Sequence, residues 1–558
     1  MPHLPTLPHL PKLLRLALGK GPEEDVPSWA IVDLHGSYPT HHSHDLLESL
    51  LERSESFQSL TERLDQLGSM DTVTGVLVRV VNLTAGLATS EAIGRALGRL
   101  QARKRVVVYL PQVTMRSLLV GAAVREVMAP ESAEVMLPGF AAERVFYGEF
   151  LTRRGIGFEN LRIREYKSAL TTFSEDHMDE AEREQLTAYL TSAERSWLSA
   201  VVPDDGGAAP EGDATGDGGG GVVDVLDAGL TNANQLLEAG LITRIGYDDE
   251  VALPVDQDWS RSLELVRTQF AEKRRAKKAD GIAVVPVVGA IVSGRSRPTP
   301  PIPLFSGPTA GSETVVAALR KAERDEHVTA IVLYVDSPGG SALASDVIGR
   351  AVARCAKPVV AVMGEVAASG GYYVLAQADH VVASPFTITG SIGVVVGKPV
   401  LADLNQRIGR NPETVGRELA LFGSANRAFS DAERAWAERM MDEVYERFVA
   451  RVADGRGLSR ERVDEIGRGR IWSGVDARER GLVDELGDLH AGIAAARRLA
   501  GLPDDVPVRA VSAGFTLPGV PSFGKDPAAA VATAALASVW PFGQERVLTL
   551  FDSAVTIR

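Results

Sequence analysis

Short runs of apolar residues alternate along this chain with stretches in which apolar residues recur every three or four positions. The runs include WAIVDLHGSYP at residues 29–39, GIAVVPVVGAIVSG at 281–294 and PVVAVM at 358–363, and SETVVAALRKAERD at 312–325 has the helical spacing. Short continuous apolar runs predict buried strands, and a period near 3.6 predicts helices. Strands that alternate with helices indicate crossover connections and a mainly parallel sheet, so the pattern predicts an α/β fold.

The same pattern occurs twice. KRVVVYLPQVTMRSLLVGAAVREVMAP, residues 104–130, aligns without a gap until its last few residues on KPVVAVMGEVAASGGYYVLAQADHVVASP, residues 357–385. NANQLLEAGLITRIGYDDEV, residues 232–251, likewise aligns on GVDARERGLVDELGDLHAGI, residues 474–493. Two copies of one α/β unit are the simplest explanation.

We therefore divide the chain into two repeats flanked by two tails. The predicted segments are an N-terminal tail, a first repeat, a second repeat and an apolar C-terminal tail, at residues 1–27, 28–275, 276–505 and 506–558. The Gly- and Asp-rich stretch at residues 203–221 has little to bury and is predicted to be a disordered insertion in the first repeat.

Composition narrows the classes of function. A net charge of −14 over 558 residues, with no extended basic block, argues against a nucleic-acid-binding protein. The single cysteine, Cys355, allows no intrachain disulfide and no cysteine-rich metal site.

Neither end of the chain predicts a membrane span. The N-terminal run LLRLAL is interrupted by Arg15 and falls far short of the roughly 20 apolar residues that cross a bilayer. The alanine-rich stretch at 527–542 is also too short, and predicts a helix that packs on the body of the protein or on a membrane surface.

Ser369 lies where a buried strand gives way to two glycines and a helix. Such a junction can expose a nucleophilic hydroxyl beside backbone N–H groups, although a serine there can also simply cap the helix. The repeat favours the first interpretation, because Arg116 stands at the matching position of the first copy. Conversely, Lys167 of the first copy matches Gly423 of the second, so the two repeats predict a composite site to which each contributes one group.

The second repeat also contains an apolar strand that ends in DSPGGS, residues 336–341. Glycines at a strand end let backbone N–H groups approach a ligand, and the N-terminus of the following helix adds partial positive charge. The matching first-repeat segment, VVNLTAGLAT, lacks the Gly-Gly pair. This pattern predicts an oxyanion-binding site in the second repeat.

Four ordered motifs resemble the signal peptide peptidase A (SppA) family in its long, tandem-repeat form: YKSA at 166–169, VDSPGG at 335–340, AASGGYY at 367–373 and ASPFTITGSIGV at 383–394. The resemblance covers most of residues 28–500. It implies two repeats of a fold related to Clp protease and the crotonases, and a serine–lysine dyad. It also implies membrane-associated cleavage of remnant signal peptides or other apolar peptides, and a homo-oligomer, commonly a tetramer.

The resemblance further implies roles for individual residues. Ser369 is the expected nucleophile and Lys167 the expected general base. The expected oxyanion donors are backbone groups of Gly340 and Gly370, with Gly339 beside them. Hydroxyls at Ser391 and Ser168 are expected to orient the amine, or alternatively to satisfy turn backbone. Because lysine's usual pKa is about 10.4, such a base must have its pKa lowered by burial or by a nearby positive charge.

Other chemistries remain as alternatives. His380 suggests a Ser-His-Asp site, but it follows one helix after Ser369 and is expected to point away. The histidines of HHSHD, residues 41–45, suggest a metal, although a polar loop without an evident carboxylate partner is usually solvated. We predict no cofactor.

The rival functions are a crotonase-like acyl-CoA enzyme and a non-catalytic scaffold of membrane assemblies. The expected location is either the membrane, through peripheral contact, or the cytoplasm.

Overall fold

The computed structural model describes residues 29–39, 55–71, 73–202, 225–251, 280–297, 308–504, 506–511, 547–551 and 556–557, the last pair by backbone only. The predicted N-terminal tail, the Gly-rich insertion, the HHSHD histidines and the alanine-rich stretch at 527–542 all lie outside these ranges.

Twenty-three strands lie within the described residues. In chain order they are β1 Trp29–Gly36, β2 Gly75–Leu83, β3 Arg105–Tyr109, β4 Gln112–Thr114, β5 Glu126–Ala129, β6 Glu134–Met136, β7 Ala142–Glu143, β8 Gly157–Arg162, β9 Arg244–Ile245, β10 Gly281–Val288, β11 Ala290–Val292, β12 Thr309–Gly311, β13 Val328–Ser337, β14 Gly339–Ser341, β15 Val359–Ala368, β16 His380–Ala383, β17 Ile388–Gly390, β18 Val395–Val400, β19 Ile471–Trp472, β20 Glu485–Leu486, β21 Val508–Ala510, β22 Val547–Leu550 and β23 Thr556–Ile557.

The α-helices of the described chain connect these strands. They are Phe57–Ser69, Leu87–Gln101, Met115–Gly121, Gly148–Arg153, Thr171–Ser174, Glu180–Val201, Ala233–Glu238, Ser312–Arg324, Ala342–Ala353, Gly370–Leu375, Ala402–Arg407, Asp431–Arg456, Arg460–Ile466, Gly474–Glu479 and Leu489–Ala500. Single 3₁₀ turns form at Asp248–Glu250 and Glu418–Leu421.

The tandem repeat is visible in the topology. The first half forms a five-stranded sheet in the order β1-β2-β3-β5-β9, in which every neighbouring pair is parallel. The second half repeats that order as β10-β13-β15-β16-β20, also parallel throughout. The predicted α/β architecture of two repeats is confirmed. Parallel sheets have both faces covered, which is why the strands read as continuous apolar runs.

The two halves share one hydrophobic core. A single cluster of buried side chains contains Val32, Val78 and Val108 of the first sheet together with Val284 and Val332 of the second. Polar contacts cross the same boundary, because Glu365 accepts hydrogen bonds from the backbone N–H groups of Ala88 and Thr89 at 3.1 and 2.8 Å. A carboxylate at this position favours helix Leu87–Gln101 by facing the positive end of its dipole.

A third sheet joins segments from distant parts of the chain, in the order β12-β11-β14-β22-β18-β8. Strand β8 belongs to the first half and pairs antiparallel with β18 of the second along six residues. Strand β22 is contributed by residues near the C-terminal end of the sequence. This sheet brings the Lys167 region, which follows β8, next to the strand ends of the second half.

Candidate active site

Ser369 lies at the point where strand β15 ends and helix Gly370–Leu375 begins. Its backbone has φ 56° and ψ −117°, a combination that costs a non-glycine residue about 1–3 kcal/mol and is found mostly at functional sites. The turn is held on both sides, since Ser369 N donates to Gly390 O and Tyr373 N donates to Ser369 O, each at 2.8 Å. The hydroxyl makes no capping bond to the helix, so the helix-cap alternative is not what the geometry shows.

Lys167 follows strand β8 and reaches the same point from the first half. Its Nζ lies 2.6 Å from Ser369 Oγ, 2.8 Å from the Ser391 carbonyl oxygen and 3.0 Å from Ser391 Oγ. The side chain is 1% exposed and the whole Ser369 residue 0%. Burial holds the pKa of the Lys167 amine well below its usual range. An uncharged amine at this distance can accept the proton of the serine hydroxyl.

The loop that carries Lys167 is held by hydrogen bonds to the backbone carbonyl groups of the residues on either side of this lysine. Gln185 Nε2 donates to the Tyr166 carbonyl at 3.0 Å, and Arg144 Nη2 donates to the Ser168 carbonyl at 2.8 Å. Arg144 in turn forms a buried ion pair with Glu182, and both side chains are 1% exposed. Glu182 and Gln185 lie three residues apart on helix Glu180–Val201, so one face of that helix fixes both sides of the lysine.

Gly469 makes room for the lysine backbone. A Cβ at this position would lie 2.6 Å from the Cα and N of Lys167, and the residue has φ +86°. Only a glycine satisfies both conditions. Sequence reasoning missed Gly469, Arg144, Glu182 and Gln185, and the only signal for the glycine was its place between two arginines in GRGR.

The predicted oxyanion glycines lie beside Ser369. A Cβ built on Gly339 would lie 2.5 Å from Gly370 N, which puts the two glycines in direct contact. Both Gly339 and Gly340 belong to the short strand β14, and the N–H of Gly339 donates to Ser337 Oγ at 3.1 Å. Gly339 has φ +93° and Gly340 φ +154°.

The two supporting serines behave differently. Ser391 contacts the Lys167 amine with both its hydroxyl and its carbonyl oxygen. The Ser168 hydroxyl instead accepts from Arg144 Nη1 at 3.4 Å, and its expected role in orienting the amine stays a prediction. Arg144 also donates to the Ser168 carbonyl, so this guanidinium contacts the residue through both groups.

A strand from the C-terminal part of the chain lies beside the Ser369 turn. Strand β22 pairs antiparallel with β14, with Thr549 opposite Gly340, and antiparallel with β18, with Leu548 opposite Val395. Leu548 is 0% exposed and packs in a small apolar cluster with Leu170, Val292 and Val395. Sequence reasoning gave this segment no place in the site.

The histidine alternative is not supported by position. His380 begins strand β16, and its Nε2 lies 3.0 Å from Glu485 Oε2.

Within the described ranges, no group of three or more His, Cys, Asp or Glu side chains is arranged to hold a metal ion. No helix in the described part of the chain is both long and apolar enough to cross a bilayer.

Comparison with known proteins places this site in a family. The family model for peptidase family S49 matches residues 98–204 and 352–503, and the Clp protease model matches residues 308–387. The chain is 31% identical to the chloroplastic serine protease SPPA of Arabidopsis thaliana, over 82% of this chain and 68% of that one. The chain belongs to peptidase family S49.

Two bacterial proteins are also similar to this chain. Protease 4 of Salmonella typhi is 31% identical over 77% of this chain and 70% of its own, and Protease 4 of Haemophilus influenzae is 28% identical over 76% and 70%. A solved ClpP1 mutant from Listeria monocytogenes matches 41% of this chain at 16% identity, with a TM-score of 0.26. As an S49 peptidase, the protein is a serine protease.

Proposed function

We propose that this S49 peptidase is an endopeptidase that cleaves apolar peptides, including remnant signal peptides, through an acyl-enzyme formed on Ser369 with Lys167 as general base. The single observation that carries the proposal is the 2.6 Å contact between Lys167 Nζ and Ser369 Oγ inside a buried site. The fold by itself would suit several activities, so the dyad is the argument for this one.

The reaction begins with proton transfer from Ser369 Oγ to the neutral Lys167 amine, while Oγ attacks the scissile carbonyl carbon. The oxygen becomes an oxyanion, and the backbone N–H groups of Gly370 and Gly340 are the proposed donors to it. Each such donor typically contributes about 3 kcal/mol in the transition state. The Lys167 ammonium then protonates the leaving amine, and the C–N bond breaks to leave the acyl-enzyme.

Deacylation repeats these steps with water as the nucleophile. Lys167 takes a proton from the water as its oxygen attacks the ester carbonyl. The bond to Ser369 Oγ then breaks, the Lys167 ammonium returns the proton to Oγ, and the acyl part leaves as a carboxylic acid. The Ser391 hydroxyl and carbonyl oxygen, at 3.0 and 2.8 Å from Nζ, support a role in keeping the amine directed at the serine through both steps.

The test replaces each half of the dyad separately. Ser369→Ala and Lys167→Met should each reduce hydrolysis of a fluorogenic apolar peptide by at least about 10⁴-fold, the scale of loss when a member of a catalytic set is removed. The matched control is Lys104→Met, a lysine that also donates to a backbone carbonyl, Met70 O at 2.7 Å, but lies outside the site. Folding of all variants is checked by circular dichroism.

Unchanged peptide hydrolysis in Ser369→Ala would refute the proposal. A Lys167→Ala variant that still turned over an acyl-CoA thioester would instead favour the crotonase-like alternative. If neither peptide nor thioester were hydrolysed by the unmodified protein, the scaffold alternative would remain.

We also propose a homotetramer with peripheral membrane contact, as the resemblance to SppA implies. Support for an assembly comes from exposed aromatic side chains. They lie on, or at the ends of, two short helices that pack together. Tyr147, Phe150 and Phe173 are 45%, 51% and 37% exposed. Sedimentation gives the assembly size, and cell fractionation gives the location.

A further inference from the structure

Strand β22 completes the third sheet in a position next to the catalytic groups. It lies between β14 and β18, antiparallel to both, and pairs Gly339 with Leu550 and Ser341 with Leu548. Without it, the edges of β14 and β18 that face each other would present unpaired backbone N–H and C=O groups. Such an opening is what an extended peptide enters when it binds as an added strand.

The backbone of this strand passes close to Gly370, one of the two proposed oxyanion donors, and to Gly339, which precedes the other. A Cβ on Gly339 would lie 2.2 Å from the Thr549 carbonyl oxygen, and a Cβ on Gly370 would lie 2.9 Å from the same atom and 2.8 Å from Thr549 Oγ1. The Thr549 carbonyl oxygen therefore lies against Gly339 and Gly370, next to the proposed oxyanion donors.

Side-chain contacts fix the strand in this place. Leu548 is fully buried against Leu170 of the Lys167 loop region, Val292 of β11 and Val395 of β18. These residues belong to three separate segments of the chain, so the apolar pocket exists only at their junction. Full burial of one leucine side chain contributes about 1.5–3 kcal/mol.

A second pairing ties the same segment to the first half. Strand β23 pairs antiparallel with β7, Thr556 opposite Glu143 and Ile557 opposite Ala142. Glu143 precedes Arg144, which donates to the Ser168 carbonyl next to the general base. The C-terminal segment thus contacts the half that supplies Ser369 and the half that supplies Lys167.

We propose that residues 547–551 act as an intramolecular inhibitor that occupies the peptide groove as an added strand and must leave before a substrate can bind. This inference rests on the proposed function, because it takes the groove beside Ser369 to be the substrate site. Because residues 547–551 belong to the same chain, they compete at a constant effective concentration, which for linked binding groups reaches the millimolar range.

The contacts of residues 547–551 also indicate which substrates can displace this segment. A competing peptide must be extended over at least the span of Val547–Leu550, and it must offer an apolar side chain to the pocket that holds Leu548. Peptides with a charged residue at that position would leave a carboxylate or amine in an apolar pocket and compete poorly.

The main test compares the full chain with a chain that ends at residue 546, using a fluorogenic apolar peptide. The truncated protein should have a KM about tenfold lower and an unchanged kcat. This factor is expected if the segment has an effective concentration in the millimolar range and binds the substrate site with a dissociation constant of about 0.1 mM. A synthetic peptide of residues 545–558 should inhibit the truncated protein competitively.

A point variant checks the same idea without deletion. Leu548→Asp in the full chain should lower KM as truncation does, whereas Val415→Asp, at a residue that is 100% exposed, should leave KM unchanged. Hydrogen exchange in the full-length Ser369→Ala variant gives a readout that does not depend on how the truncated protein folds. The amides of residues 547–550 should lose protection when a substrate peptide is added.

The outcomes separate this inference from the proposed function. Equal KM values for the full and truncated chains, or exchange protection that a bound peptide does not change, would overturn the inhibitor while leaving the dyad intact. A KM difference that grows with protein concentration would show that the segment comes from a second molecule, which also overturns it. Absence of any Ser369-dependent hydrolysis would instead defeat the proposed function.

Discussion

The proposed chemistry of the site depends on the protonation of one residue, Lys167. Its amine has three hydrogen-bond partners, all of them neutral oxygens of Ser369 and Ser391, and burial alone lowers its pKa. Ionisation of lysine in the unfolded chain takes place near pH 10.4, so the folded protein releases this proton at lower pH. The amine is thereby neutral over a wider range of pH than an exposed lysine.

A pH profile of kcat/KM tests this directly. Because the neutral amine is the active form, activity should be lost as the pH falls through the Lys167 pKa, and it should reach its plateau well below pH 10.4. The residual hydrolysis of Lys167→Ala should lack this acid limb. A profile that rises only above pH 10 would mean that the amine remains charged in the folded protein.

The same shift of pKa affects folding in a fixed direction. Between the folded and unfolded pKa values of Lys167, the unfolded chain binds more protons than the folded one. The free energy of unfolding therefore rises with pH in that window, as far as this group contributes.

At the scale of elements, helix Glu180–Val201 positions the general base without touching Ser369. Its Gln185 and the Arg144–Glu182 pair hold the carbonyls on either side of Lys167. Removing one partner of a buried ion pair typically costs about 3–5 kcal/mol, whereas replacing both with apolar residues is often neutral. Stability and positioning can thus be separated by a pair of variants.

We expect Arg144→Met to lower both the unfolding free energy and kcat. Arg144→Met combined with Glu182→Leu should recover most of the stability, because no unpaired charge remains buried, but not kcat, because the Ser168 carbonyl still lacks its donor. Thermal unfolding and steady-state kinetics of the two variants measure this. Recovery of kcat together with stability would show that the ion pair only stabilises the fold.

The sequence predicted the elements better where they repeat. Strands β3 and β15, and β5 and β16, lie where the aligned segments predicted them, because buried parallel strands leave long apolar runs that a duplicated sequence shows twice. The exchange of Lys167 and Ser369 between copies indicated a shared site, and the structure brings these two side chains together.

Features that depend on contacts distant in sequence were not predictable. Strand β22 is a run of only four residues, and its partner Gly340 lies 209 residues away from Thr549. Arg144 and Glu182 are charged residues, which are almost always exposed unless paired, and nothing in the sequence shows the pairing. The division of the chain at residues 275 and 505 stays a prediction.

At the scale of the whole molecule, each chain contains both members of the proposed dyad. Lys167 and Ser369 meet within one chain, through strands β8 and β18 and through a core common to both halves. An assembly of several copies would then contain one complete site in each copy. This differs from an arrangement in which a site is shared between subunits.

Mixing two inactive full-length variants distinguishes these arrangements. Co-expressed Lys167→Ala and Ser369→Ala chains should form assemblies with no more peptide hydrolysis than either variant alone, because no chain holds an intact pair. Mixed assemblies of unmodified and Ser369→Ala chains, the control, should retain activity in proportion to the unmodified fraction. Restored hydrolysis in the first mixture would place the amine and the hydroxyl on different chains.

The order of the two halves has a consequence during synthesis. Lys167 leaves the ribosome 202 residues before Ser369, and at roughly 5–20 residues per second that interval is about 10–40 s. Until the later half has emerged and folded against the earlier one, the nascent polypeptide has no complete dyad and so cannot hydrolyse peptides beside it. The proposed active site is thus completed only after the second half has been synthesised as far as Ser369 and beyond, and not while the first half alone is present.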